Sequence, residues 1–106
     1  MAIDCTVEVR QDGKSTIRFV ARNTGTAPID LEFPDGQTIE VVIERGGDEQ
    51  WRYSDGRVFT QALRTETIRP GERLRETITE TDLPKGAVRA WLCAVDVECT
   101  ATAHIR

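Results

Sequence analysis

Along most of this chain apolar side chains return at every second position, the period of a strand with one dry and one wet face. Ile3, Cys5, Val7 and Val9 alternate with Asp4, Thr6, Glu8 and Arg10. Gln11-Asp12-Gly13-Lys14 follows as a turn in which Gly13 can take positive φ without steric cost. A second strand is predicted over 15–22, with Ile17, Phe19 and Ala21 inward and Arg18 and Arg22 outward, and Asn23-Thr24-Gly25-Thr26 makes a loop. Ile29, Leu31 and Phe33 mark a third strand. Pro34-Asp35-Gly36 closes it, proline presetting φ and glycine accepting the left-handed position. Ile39, Val41 and Ile43 mark a fourth strand ending at Gly46-Gly47, and Gln50-Trp51-Arg52-Tyr53 a short fifth ending at Ser54-Asp55-Gly56.

Residues 57–67, with Val58, Phe59, Ala62 and Leu63, are less regular and need not form one continuous strand; Pro70-Gly71 is a further turn. The segment 72–82 fits two periods, since Leu74 and Ile78 share a face at either strand or helix spacing. Thr77, Thr79 and Thr81 lower helix propensity. Glu76 and Glu80 suit an edge strand, where charge discourages pairing with other chains, and an edge strand is the prediction. Leu83-Pro84-Lys85-Gly86 reads as a loop, and 87–95 and 99–105 as a closing hairpin around Asp96-Val97-Glu98. Turns at this spacing, with thirteen threonines, predict an all-β sandwich or barrel rather than βαβ units.

Length and charge narrow the function classes. At 106 residues the chain is one domain's worth, 1–106, too short for a two-domain enzyme. Fourteen basic against eighteen acidic residues give a net charge of −4, with no basic stripe to neutralise phosphates, so nucleic acid is not the expected partner. The longest apolar run, Trp91-Leu92-Cys93-Ala94-Val95, is far short of a membrane span of about 18 residues or more. No charged n-region precedes a long apolar stretch, and the chain reads as cytoplasmic. Three cysteines without a CxxC pair give little support to zinc; Cys93 and Cys99 could face each other across a hairpin, but the cytoplasmic reading argues against a disulfide between them.

Catalytic chemistry finds few candidates. His104, the one histidine, lies two residues from the C-terminus and reads as a strand-end side chain. Asp4, Glu8, Glu40 and Glu44 fall at outward positions and read as a solvated strand face rather than an acid–base pair. Asp48 with Glu49, or Asp35 with Asp55, lack the spacing of a calcium loop, and Gly46-Gly47 lacks that of a phosphate loop. No catalytic, cofactor or metal residue is predicted. Trp51, beside Tyr53, is expected in the core. Trp91 is expected opposite the apolar set Val88, Ala90 and Leu92, covered by a loop or open to a partner.

Several blocks in register resemble the BsuPI family, the intracellular proteinase inhibitor domain. They are Val20-Ala21-Arg22-Asn23-Thr24-Gly25, then Leu31-Glu32-Phe33-Pro34-Asp35-Gly36-Gln37, then Ile39-Glu40-Val41-Val42-Ile43. Trp51-Arg52-Tyr53-Ser54 followed by Phe59-Thr60-Gln61-Ala62, and then Pro70-Gly71-Glu72, complete the pattern over residues 16–80. The chain departs from it at Thr77-Ile78-Thr79, where the family usually has an aromatic residue, and in the final hairpin. The resemblance implies an immunoglobulin-like antiparallel β-sandwich of about seven to nine strands. It also implies a role in restraining an intracellular serine protease of subtilisin type; with no catalytic residues predicted, the chain is expected to be a non-enzymatic inhibitor without cofactor, a monomer or weak homodimer. No reactive-site motif carries over, so the partner-binding residues stay unassigned. Loops at one end of the sandwich, 23–27, 46–49, 54–57 and 83–86, are the candidates, Leu83-Pro84-Lys85 being the most substrate-like. The alternative is a generic protein–protein interaction module of the same fold.

Overall fold

A computed structural model describes residues 2–106. Nine strands follow one another: β1 (Ile3–Asp12), β2 (Lys14–Asn23), β3 (Ile29–Phe33), β4 (Ile39–Arg45), β5 (Asp48–Arg52), β6 (Arg64–Ile68), β7 (Arg73–Glu80), β8 (Gly86–Leu92) and β9 (Thr100–Ile105). No helix occurs among the described residues, so none is long and apolar enough to cross a membrane. Every ladder is antiparallel, in a three-stranded sheet β1-β2-β7, a four-stranded sheet β5-β4-β8-β9 and a separate pair β3-β6. This is the all-β fold expected from the sequence, and it is compatible with an immunoglobulin-like sandwich.

Period-two patterning explains how the layers meet. Ile17, Phe19 and Ala21 of β2, Leu31 and Phe33 of β3, Val41 and Ile43 of β4, and Val88 and Ala90 of β8 are all buried in one cluster. A one-residue slip in any of these strands would turn its apolar set to water, so burial fixes the register. β7 pairs only with β2 and is the expected edge strand, Leu74 half-buried and Ile78 buried. In the closing hairpin Val88, Ala90 and Leu92 face the core and Trp91 the other side, as alternation required.

Three expectations are corrected. Cys99 is bonded to Cys5 of β1, not to Cys93, with the two Cα atoms 5.9 Å apart. β1 packs beside β9, which brings the first and last strands together, whereas Cys93 stays a free thiol. Trp51 is half-buried against the rim of the core rather than within it, its ring 6.5 Å from that of Tyr53. Glu40, expected on a wet face, is only 7% exposed, and its strand neighbour Val42 is buried too. The chain leaving β5 folds back across this side of β4, Tyr53 donating its backbone N–H to the Val41 carbonyl at 2.9 Å.

Candidate functional site

That fold-back opens the longest irregular stretch between strands, the strap from Ser54 to Leu63 that joins β5 to β6. The buried carboxylate of Glu40 holds its start. One oxygen accepts from the Ser54 and Val41 amides, each at 3.1 Å, and the other faces Arg52 at 3.4 Å. A buried charge is tolerated when its lone pairs are filled in this way. Arg52 also reaches Glu49 at 2.7 Å, a hydrogen bond that holds the Glu49 carboxyl below its ordinary value. Arg64 holds the far end of the strap. Its guanidinium donates to the Asp35 carbonyl at 3.2 Å and to the Thr38 hydroxyl at 2.6 Å, and lies 4.3 Å from the Phe33 ring centroid.

The middle of the strap is pinned as well. Arg57 donates to the Tyr53 carbonyl at 2.8 Å, lies over the Tyr53 ring at 4.3 Å, and pairs with Glu80 at the end of β7. Phe59 packs on the opposite part of this aromatic group, 6.1 Å from the Tyr53 ring. The Gly36 amide donates to the Thr60 carbonyl at 2.8 Å. A Cβ at Gly36 would come within 3.1 Å of the Thr60 nitrogen, so this close approach favours glycine. Residues 57–63 run without a turn or bend. Val58 is nevertheless 97% exposed and Leu63 84%. Leu63 borders a shallow groove of about 320 Å3 with Phe33, Pro34 and Val95. A tethered segment with outward apolar side chains is suited to docking a macromolecule.

Of the four candidate loops, 54–57 is the first part of this strap, whose extent to Leu63 the turn-based reading missed. The signal was present: period two lapses between Arg57 and Leu63, yet the apolar content does not fall. Of the expected 46–49 loop only the turn Gly46-Gly47 lies outside the strands, β5 taking Asp48 and Glu49, and the 83–85 loop lies beside its start, Arg45 donating to the Lys85 carbonyl at 3.2 and 3.3 Å. The 23–27 loop instead abuts the β6–β7 turn. Asn23, fully buried, donates to the Ala27 and Ile68 carbonyls at 2.8 Å and accepts from the Gly25 amide at 2.9 Å. Its backbone bonds Glu72 and Gly71. The Asn23 and Pro70-Gly71-Glu72 blocks are thus partners in a single structural joint.

His104 is exposed, a ring nitrogen 3.5 Å from the Gly86 carbonyl. Asp4 and Glu8 are exposed on β1, and no three His, Cys, Asp or Glu side chains among the described residues converge to hold a metal ion. Trp91 is half-buried under Arg89, whose guanidinium lies 5.1 Å from its ring. Burial pushes the nearby Cys93 thiol up to about 11, with the Glu40 and Asp35 charges acting in the same direction. This thiol is protonated at neutral pH and poorly nucleophilic.

The family described as BsuPI, intracellular proteinase inhibitor, matches residues 1–97, beyond the 16–80 over which the resemblance was read. It is a family of inhibitors, not of enzymes. No curated protein matches the chain. Among solved structures, Spo0M, a sporulation control protein from Bacillus subtilis, superposes with a TM-score of 0.58 at 18% identity, over 99% of this chain. The chain spans about half of that one (49%), and the likeness shows a shared fold. A β-glucosidase from Kluyveromyces marxianus matches at a TM-score of 0.44 and 9% identity, over 98% of this chain and 14% of the enzyme.

Proposed function

Because the chain belongs to the BsuPI family of intracellular proteinase inhibitors, we propose that it inhibits a serine proteinase of subtilisin type, in the cytoplasm, by lodging a rigidly held loop against the enzyme. The family match over residues 1–97 is the observation that carries this reading. The structure supports it with a loop tied at Ser54, Arg57, Thr60 and Arg64. A loop already ordered before docking escapes a cost of about 0.5–1.5 kcal/mol per side chain that a flexible loop bears on binding. Cleavage is also slowed, because a tethered chain re-forms its contacts faster than the products can leave. The domain acts as a single unit, 1–106, as a monomer or weak homodimer.

A panel of proteinases tests the reading. Micromolar or lower concentrations of the protein are expected to slow subtilisin-type serine enzymes, with metallo- and cysteine proteinases unaffected. Rapid degradation without inhibition across several subtilisin-type enzymes would overturn it. Running the panel with and without reductant shows whether inhibition needs the Cys5–Cys99 bond.

A further inference from the structure

A single exposed valine is ordinary on a protein surface and on its own means nothing. Val58 differs in what stands on either side of it. Arg57 is fastened three ways, to the Tyr53 carbonyl, over the Tyr53 ring and to Glu80. Phe59 packs against the same tyrosine ring, and the carbonyl of Thr60 is held by the Gly36 amide. Val58 thus stands between two tethered side chains, and it is almost fully in water at 97% exposure. Among the described residues no hydrogen bond engages its amide or carbonyl. A backbone with free hydrogen-bonding groups and an outward β-branched side chain is what an enzyme cleft can take up as an added strand.

We propose that Val58 is the side chain this domain inserts into the proteinase, with residues 57–60 lying along the substrate cleft and Arg57 and Phe59 holding them in that shape. The inference rests on the proteinase-inhibitor reading and deepens it by naming the contact. The occupied subsite takes a small apolar, β-branched side chain. Leu83-Pro84-Lys85, the more substrate-like segment in sequence, is a bystander. Its Leu83 and Pro84 are half-buried, and the Lys85 carbonyl is occupied by Arg45.

Inhibition constants against one subtilisin-type proteinase that the wild-type protein inhibits decide the matter. Val58→Asp is expected to weaken inhibition by about 100-fold or more, the scale of an interface anchor. Val58→Ala should weaken it by about 10-fold, with thermal stability unchanged in both because the side chain is almost wholly in water. Arg57→Ala leaves Val58 in place but frees the strap. It should weaken inhibition and speed cleavage within 57–60, read by mass spectrometry, which a merely structural role elsewhere would not do. Lys85→Ala should leave inhibition unaltered. Wild-type inhibition with undiminished inhibition by Val58→Asp overturns this inference and leaves the family-based reading standing. A wild-type protein that inhibits no proteinase overturns both.

Discussion

Replacing Asn23 by Asp exchanges one amide for an oxygen at the most completely bonded side chain of the domain. Asn23 is fully buried, and its amide nitrogen feeds two carbonyls, Ala27 and Ile68, each at 2.8 Å. Aspartate keeps the bond from the Gly25 amide but turns an anionic oxygen toward both carbonyls. Two hydrogen bonds at about 1 kcal/mol each are lost, the buried Ile68 carbonyl is left without its donor, and a charge is buried, for a total of about 4 kcal/mol or more at pH 7. Asn23→Ala loses three bonds but introduces no charge, and should cost about 3 kcal/mol. At about 5 °C per kcal/mol, the aspartate variant should melt about 20 °C below wild type in a calorimetric scan. Burial and two facing carbonyl dipoles raise the folded-state pKa of the new carboxyl above its unfolded value near 3.9. The penalty therefore grows as pH rises from that value through the folded pKa and shrinks as pH falls, since a protonated carboxyl can donate one bond. An aspartate variant within 1 kcal/mol of wild type at pH 7, or one whose deficit does not shrink on acidification, would refute the reasoning.

Gly86 has φ +149°, and a Cβ there would collide with the Glu44 carbonyl oxygen. Gly86→Ala should therefore cost about 2–4 kcal/mol in urea titrations by parting the ends of β4 and β8. The Cys5–Cys99 bond has a sequence separation of 94, so reducing it, or the Cys5→Ser change, should lower stability by about 4–5 kcal/mol on the chain-entropy account. Cys93, with its thiol pushed up to about 11, should alkylate far more slowly than a free-cysteine peptide at pH 8, accelerating as pH approaches 11. A raised folded pKa also means that stability is full below the ordinary thiol value near 9.0 and is lost as pH rises through about 11. Gly36→Ala should push Thr60 outward by a few tenths of an ångström, seen as faster proteolytic nicking within 54–63 at little cost in melting temperature.

Where one face of a strand is dry and the other wet, alternation read the structure well. β1 to β3 follow it residue by residue, and in β8 it separated Val88, Ala90 and Leu92 from Trp91. It misled at β4, where both faces are covered and Glu40 is buried by a segment fourteen residues further on. A carboxylate at an alternate position looks the same in sequence whether water or a backbone amide fills its lone pairs. The cysteine pairing failed for a similar reason. Cys93 and Cys99 are neighbours along the chain, but the packing of β1 beside β9 that joins Cys5 to Cys99 is a long-range consequence of how the sheets close. The strap was half legible: its turn at Ser54-Asp55-Gly56 announced itself, whereas its tethers at Gly36 and Glu80, and the Asp35 and Thr38 partners of Arg64, come from distant elements.

The central claim, that this sandwich restrains a proteinase with a loop that is ordered before contact, is tested most directly by titrating a subtilisin-type enzyme with the purified protein and recovering the inhibitor afterwards. Peptidase activity is expected to fall until one inhibitor is present per enzyme, with the chain recovered whole or nicked only between residues 57 and 60. Full enzyme activity alongside a chain cut at many sites would contradict it.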